Sequence, residues 1–129
     1  MKFKLSFSSQ IKLMNLIIEV IEGFIKSYGI DTEKNWKIFL ALREILTNSI
    51  IHGNREDPDK MVHIEAEINE AITFTVKDQG EKFDFYSYKE IPKNLLAQRG
   101  RGIYLAHQIM DEIIYEFNNG NIITMKKRL

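Results

Sequence analysis

The sequence predicts an α+β domain, a two-layer sandwich with helices on one face of a mainly antiparallel sheet. Three observations predict it. Apolar residues alternate with polar ones in short stretches at both ends and in the middle of the chain. Between these lie longer stretches whose apolar residues recur at helical spacing. The expected order is strand, helix, helix, two strands, loop, helix, two strands. The paired strands are separated by turns too short for a parallel crossover.

In order, "KFKLSF" places Phe3, Leu5 and Phe7 on one side of a strand. Ser8 or Ser9 is expected to cap a helix reaching about Tyr28, with Met14, Ile17, Ile18, Ile21 and Ile25 on its apolar face. Gly29 suits a helix stop, and Asp31 or Thr32 is expected to cap a second helix ending near Gly53. "NREDPDK" is a polar turn. Val62, Ile64, Ala66 and Ile68 alternate with polar residues, and after "NEA" so do Ile72, Phe74 and Val76, an antiparallel pair with one buried face. A loop of about twenty residues follows, longer than compact domains usually carry without a function. A third helix is expected from near Arg101, with Ile103, Leu105, Ala106, Ile109 and Met110 as its apolar residues. Ile113, Tyr115 and Phe117, the turn "NNGN", then Ile123 and Met125 make the last hairpin.

The chain has 129 residues, the size of one domain spanning 1–129, and 44% of them are hydrophobic. Eighteen basic and eighteen acidic residues cancel. Without a broad positive field, direct nucleic-acid binding is not expected. The absence of cysteine excludes disulfides, thiolate metal sites and a cysteine nucleophile. The start "MKFKLSFSSQ" has no apolar run long enough for a signal peptide, and no stretch suffices to span a membrane, so a cytoplasmic protein is expected.

Three short motifs carry chemistry. In "REILTNSIIHGN", residues 43–54, Glu44, Asn48 and His52 recur every fourth residue, within about 80° of arc on a helix. Phe39, Leu42, Leu46 and Ile50 fall on the other side. A polar stripe is ordinarily a solvated face. A carboxylate one turn before a carboxamide is also an acceptor pair, able to hold a hard cation with its waters or to take a proton. Magnesium draws most of its other ligands from water and phosphate, so phosphate-binding elements should lie elsewhere. In "VKDQGEKFDF" a strand leads to Asp78, whose carboxylate can accept from an exocyclic amine, and Gly80 lets backbone approach a flat ring. Taken alone, Asp-x-Gly is an ordinary turn. In "QRGRGIYLAHQIMDE", Gly100 and Gly102 open a helix whose first N–H groups favour an anion, and Arg99 and Arg101 add positive charge. The motif is neither a Walker loop nor a Rossmann fingerprint. His63 and His107 read as structural or solvated, without metal-site spacing.

The order and placement of these motifs over almost the whole chain resemble the GHKL, or Bergerat-type, ATPases, which include gyrase, MutL and histidine kinases. The narrower likeness, carried by "REILTNSIIHGN", "DQGEKFDF", "RGRGIYLAHQIMDEI" and the ending "MKKRL", is to the anti-sigma-factor serine kinases of bacterial switches. The resemblance implies the histidine-kinase-like ATPase fold, ATP and magnesium as cofactors, and serine/threonine protein kinase activity. Glu44 would be the base or orient the attacking hydroxyl, and Asn48 would coordinate magnesium. Asp78 would hold the adenine amine, with Gly80 against the ring. Gly100 and Gly102 would belong to a lid over the phosphates, and Arg99 or Arg101 would meet the γ-phosphate. The implied partners are a small antagonist protein carrying the acceptor serine, a sigma factor that the chain sequesters, and a second copy of the chain in a homodimer.

Two other readings stay open: an ATP-binding module that holds a partner without transfer, and a detached histidine-kinase catalytic domain. The chain departs from the resemblance twice. Many relatives read D-x-G-x-G, whereas Lys82 stands at the last position, so that turn is expected to differ. Many carry Gly-Thr-Thr before the last strand, whereas "GNII" puts Asn121 and Ile122 in place of the threonines. Asn121 would then stand in for a hydroxyl near the adenine contact.

Overall fold

The structure is a computed structural model that describes residues 1–89 and 98–129, with the backbone alone for residues 98 and 99. Strand β1 (Lys2–Ser8) leads through a 3₁₀ turn (Ile11–Leu13) into helix α1 (Met14–Ser27). Helix α2 (Trp36–Thr47) continues into a π-helical turn (Asn48–Gly53). Strands β2 (Met61–Ile68) and β3 (Ala71–Lys77) form a hairpin, and a second 3₁₀ turn covers Phe85–Lys89. Helix α3 (Gln98–Ile109) precedes the closing hairpin of β4 (Glu112–Phe117) and β5 (Asn121–Arg128). The element order is the one the sequence predicts.

The five strands form one sheet in the order β1-β2-β3-β5-β4, with every neighbouring pair antiparallel. Register follows from burial. Leu5 pairs Ile64, Ile64 pairs Val76, Val76 pairs Ile123, and Ile123 pairs Tyr115, so one inward row crosses the whole sheet. Val62, Ile64, Ala66, Ile72, Phe74, Val76, Ile123 and Met125 are all buried. All three helices cover that face. Helix α1 contributes the five residues its spacing picks out: Met14, Ile17, Ile18, Ile21 and Ile25 are each buried. Ile38, Phe39, Leu42, Ile45, Leu46 and Ile50 come from the second helical segment, and Ile103, Ala106 and Met110 complete the core. Leu105 and Ile109 are half-buried, and Phe117, on the edge strand β4, is exposed. No helix among the described residues is long and apolar enough to cross a membrane.

Several boundaries differ from expectation. Ser8 and Ser9 do not cap α1. Their hydroxyls donate to Pro58 O (2.6 Å) and Lys60 O (2.8 Å), tying the polar turn to the end of β1. Asp31 accepts from Lys34 N (3.0 Å), so its cap serves a turn that precedes α2 and the helix proper starts at Trp36. Helix α3 starts at Gln98 rather than near Arg101, which puts Gly100 and Gly102 inside its first turns. Residues 90–97 of the expected long loop, and the Arg99 side chain, lie outside the described residues.

Candidate functional site

The site is built where the second helical segment, the end of β3 and the start of α3 meet. Asn48 N–H donates to Glu44 O, so these two residues keep α-helical spacing and lie one turn apart. Beyond Asn48 the turn widens. Asn54 N–H reaches back five residues to Ser49 O (2.8 Å), the bonding of a π-bulge, a feature common at functional sites. His52 lies within this wider turn. Asn48 is buried and Glu44 half-buried, which sets them apart from an ordinary solvated helix face.

The segment then reverses through Arg55 (φ 55°) and Glu56 (φ 54°), both in the left-handed region. Buried Asn54 holds this reversal in place. Its carboxamide donates to Ser9 Oγ (2.6 Å) and Met61 O (3.0 Å) and accepts from Gln79 N (2.7 Å). Gln79 in turn accepts from Met61 N (3.0 Å). One carboxamide therefore ties the π-turn, β1, β2 and the Asp-x-Gly turn together.

Asp78, just past β3, is 5% exposed. Its Oδ1 accepts from Gly80 N (2.9 Å), Asn121 Nδ2 (2.9 Å) and Asn121 N (3.3 Å). Its Oδ2 is buried and has no hydrogen-bond partner among the described residues. A buried carboxylate oxygen without a donor is costly unless a ligand supplies one. The expected contact of Gly80 with a ring has a protein counterpart: a Cβ there would stand 2.5 Å from Gly53 O. A Cβ on Gly53 would collide with the Asp78 carboxylate. Both positions need glycine because backbone and carboxylate are stacked too closely for a side chain. Lys82 brings no left-handed backbone to the turn, since the non-glycine residues with positive φ are Arg55, Glu56 and Asn119 among the described residues.

The third motif arrives from α3. A Cβ on buried Gly102 would lie 2.6 Å from Glu44 Oε2, so the start of α3 rests directly on the Glu44 carboxylate. Gly100, also buried, falls among the first residues of α3, whose N–H groups have no intrahelical acceptor, whereas Gly102 lies beyond them. Arg101 is exposed. The fold thus brings Glu44, Asn48, Gly100 and Gly102 to one end of the α2–α3 pair and Asp78 and Gly80 beside Gly53.

Among the described residues, no cluster of three or more histidine, cysteine, aspartate and glutamate side chains is placed to hold a metal. A metal that takes most ligands from phosphate and water would need little more than one protein oxygen, and a carboxamide such as that of Asn48 carries an oxygen of this kind. His63 lies 2.6 Å from Ser6 Oγ on the polar face of the sheet. His107 packs against Phe85 (ring centroids 5.2 Å), and burial, with Lys89 nearby, holds its imidazole below the usual range.

Sequence reasoning missed Asn54, Gln79, Ser9 and Tyr115. Asn54 reads as the first residue of a polar turn, and Tyr115 as one member of an alternating strand. The available signal for Asn54 was its type: a carboxamide directly after a helix-ending glycine is suited to bonding backbone.

Comparison with known proteins agrees with this fold. Residues 7–127 match the histidine kinase-like ATPase domain. The chain is 32% identical over 135 aligned residues to the anti-sigma F factor of Clostridium perfringens, covering 99% of this chain and 96% of that protein. It is 28% identical to the anti-sigma F factor of Geobacillus stearothermophilus, covering 95% and 89% of the two chains. Among solved structures, the RsbU and RsbW domains of Rv1364c from Mycobacterium tuberculosis superpose with a TM-score of 0.73 at 16% identity, covering 100% of this chain and 32% of that one. A histidine kinase domain from Erythrobacter litoralis superposes with a TM-score of 0.55 at 22% identity, covering 72% and 43%. Both likenesses are of fold.

Proposed function

Because the chain belongs to the histidine kinase-like ATPase domain family, we propose that it is an ATP-binding anti-sigma factor of the serine-kinase type. It phosphorylates a serine on a small antagonist protein and sequesters a sigma factor. The observation that carries this reading is the meeting of Glu44 with Gly102, one helical turn from Asn48. A carboxylate lying under the start of a lid helix is positioned for a proton that moves while phosphate is held there.

In this reading Asp78 accepts the adenine amine on Oδ2, the buried oxygen that has no partner among the described residues. The N–H groups that open α3, Gly100 N–H among them, face the phosphates, and Arg99 or Arg101 adds positive charge. Asn48 supplies the protein oxygen for magnesium, whose chemistry is to neutralise charge on the phosphates. Glu44 takes the proton of the serine hydroxyl as its oxygen attacks the γ-phosphorus. The bond from γ-phosphorus to the bridging oxygen breaks, and ADP leaves. Phosphoryl transfer asks for positioning and charge neutralisation more than covalent help, and these residues supply both.

A homodimer is part of the proposal. Leu16 (57% exposed) and Phe24 (48%) on α1, with Phe3 stacked on Phe24 (centroids 4.8 Å), offer apolar surface for it. A single 15.2 kDa species in sedimentation at working concentration would contradict it. The enzymatic part is tested by mixing the chain with γ-labelled ATP, magnesium and an antagonist protein. Acid-stable label on a serine, abolished by chelation, is the expected result. Acid-labile label would indicate histidine transfer, and no label with partner binding intact would indicate a binding module.

A further inference from the structure

Asn121 stands at the start of β5, where it is 1% exposed. Its carboxamide is hydrogen-bonded at both ends inside the protein. The amide nitrogen donates to Asp78 Oδ1 (2.9 Å) and Glu81 O (3.1 Å), and the oxygen accepts from the Tyr115 hydroxyl. A carboxamide has two donor hydrogens, and both are used here, so Asn121 has no donor left for a ligand. Its effect on any ligand passes through Asp78.

Tyr115 is itself fixed. Its hydroxyl accepts from Phe83 N (3.3 Å), and its ring stacks on Phe85 with centroids 5.3 Å apart and planes at 6°. The chain of bonds therefore runs from the 81–85 loop, through Tyr115 and Asn121, to one oxygen of Asp78. That oxygen also receives Gly80 N and Asn121 N, while Oδ2 receives no hydrogen bond among the described residues.

We propose that Asn121 is a positioning residue for nucleotide selection: held by Tyr115, its carboxamide fixes the Asp78 carboxylate so that Oδ2 alone is offered to the exocyclic amine of adenine. The inference rests on the reading that Asp78 recognises adenine. Three donors on Oδ1 fix the rotation of the carboxylate and leave one acceptor direction. A base with an amine at that position satisfies Oδ2, and a base without one leaves a buried acceptor unpaired. Hydrogen-bonding sites of this kind reject the analogue that lacks the partner.

The test compares ATP with purine riboside triphosphate, which has hydrogen in place of the 6-amino group, by calorimetric titration. The parent should prefer ATP by about tenfold or more. Asn121→Ala should lose about tenfold in ATP affinity while changing little toward the purine analogue, so that the preference collapses. Tyr115→Phe keeps the stacked ring and removes only the hydroxyl. It should reduce the preference in the same direction by a smaller factor, and it serves where Asn121→Ala fails to fold. Equal losses for both nucleotides in folded variants would make Asn121 a scaffold residue and overturn the inference. A parent that binds both nucleotides alike would instead overturn the assignment of Asp78 to the amine, and this inference with it.

Discussion

Asp78 shows how one residue's role depends on which of its oxygens is already engaged. Asp78→Asn can keep its carbonyl oxygen under the three donors at Oδ1, which forces the NH₂ group to the Oδ2 position. A donor would then face the donor of adenine. We expect a folded variant whose ATP affinity falls by about ten- to 150-fold, the value of a charged hydrogen bond of roughly 1.5–3 kcal/mol. Unchanged affinity by calorimetry would remove Asp78 from the nucleotide site. The aspartate was legible in the sequence because Asp-x-Gly ends an alternating strand. The carboxamide behind it was visible only as a departure, since pairing Asp78 with Asn121 requires β3 and β5 to be neighbours. No local pattern states that adjacency.

At the scale of elements, periodicity located the helices and strands well, and the starts of helices poorly. The apolar spacing of α1 named its buried face, because core packing and helix period there agree. The end near Gly53 was legible, but the π character of the last turn escaped because an α-period and a π-turn place the same apolar residues on the core side. Asn54 decides between them. Asn54→Ala would leave Gln79 N and Met61 O without that partner at a reversal with two left-handed residues. The expected loss of stability is about 2–4 kcal/mol, readable in urea unfolding. A loss within experimental error would show that the π-turn holds itself.

Helix α3 carries a pH prediction. The folded-state pKa of His107 is lowered below 6.5, chiefly by burial, so the unfolded chain binds the proton more readily. Stability therefore rises with pH across the window between the folded value and 6.5, and is lost as pH falls through it. Thermal unfolding followed from about pH 7.5 down to about 5.5 should show a falling midpoint, with a shallower slope in His107→Gln. Parallel slopes would place the titrating group elsewhere.

Taken as a whole, the molecule is a sheet that carries two groups of candidate site residues. In the proposed reading the β3 end with Asp78 and Asn121 would meet the base, and the α2–α3 junction with Glu44, Asn48 and Gly102 would meet the phosphates. The overall layout was legible because the alternating and helical stretches follow one another in the order of the elements. The contact of Gly102 with Glu44 was not, because it joins residues far apart in sequence through helix packing. The proposed base of phosphate transfer is Glu44, and Glu44→Gln isolates that role by preserving shape while removing basicity. The decisive measurement is a single-turnover assay of phosphate transfer from ATP to the antagonist serine, run beside a nucleotide titration. Near-parental ATP affinity is expected, with transfer slowed at least about a hundredfold. Equal transfer rates in the variant and the parent would contradict it.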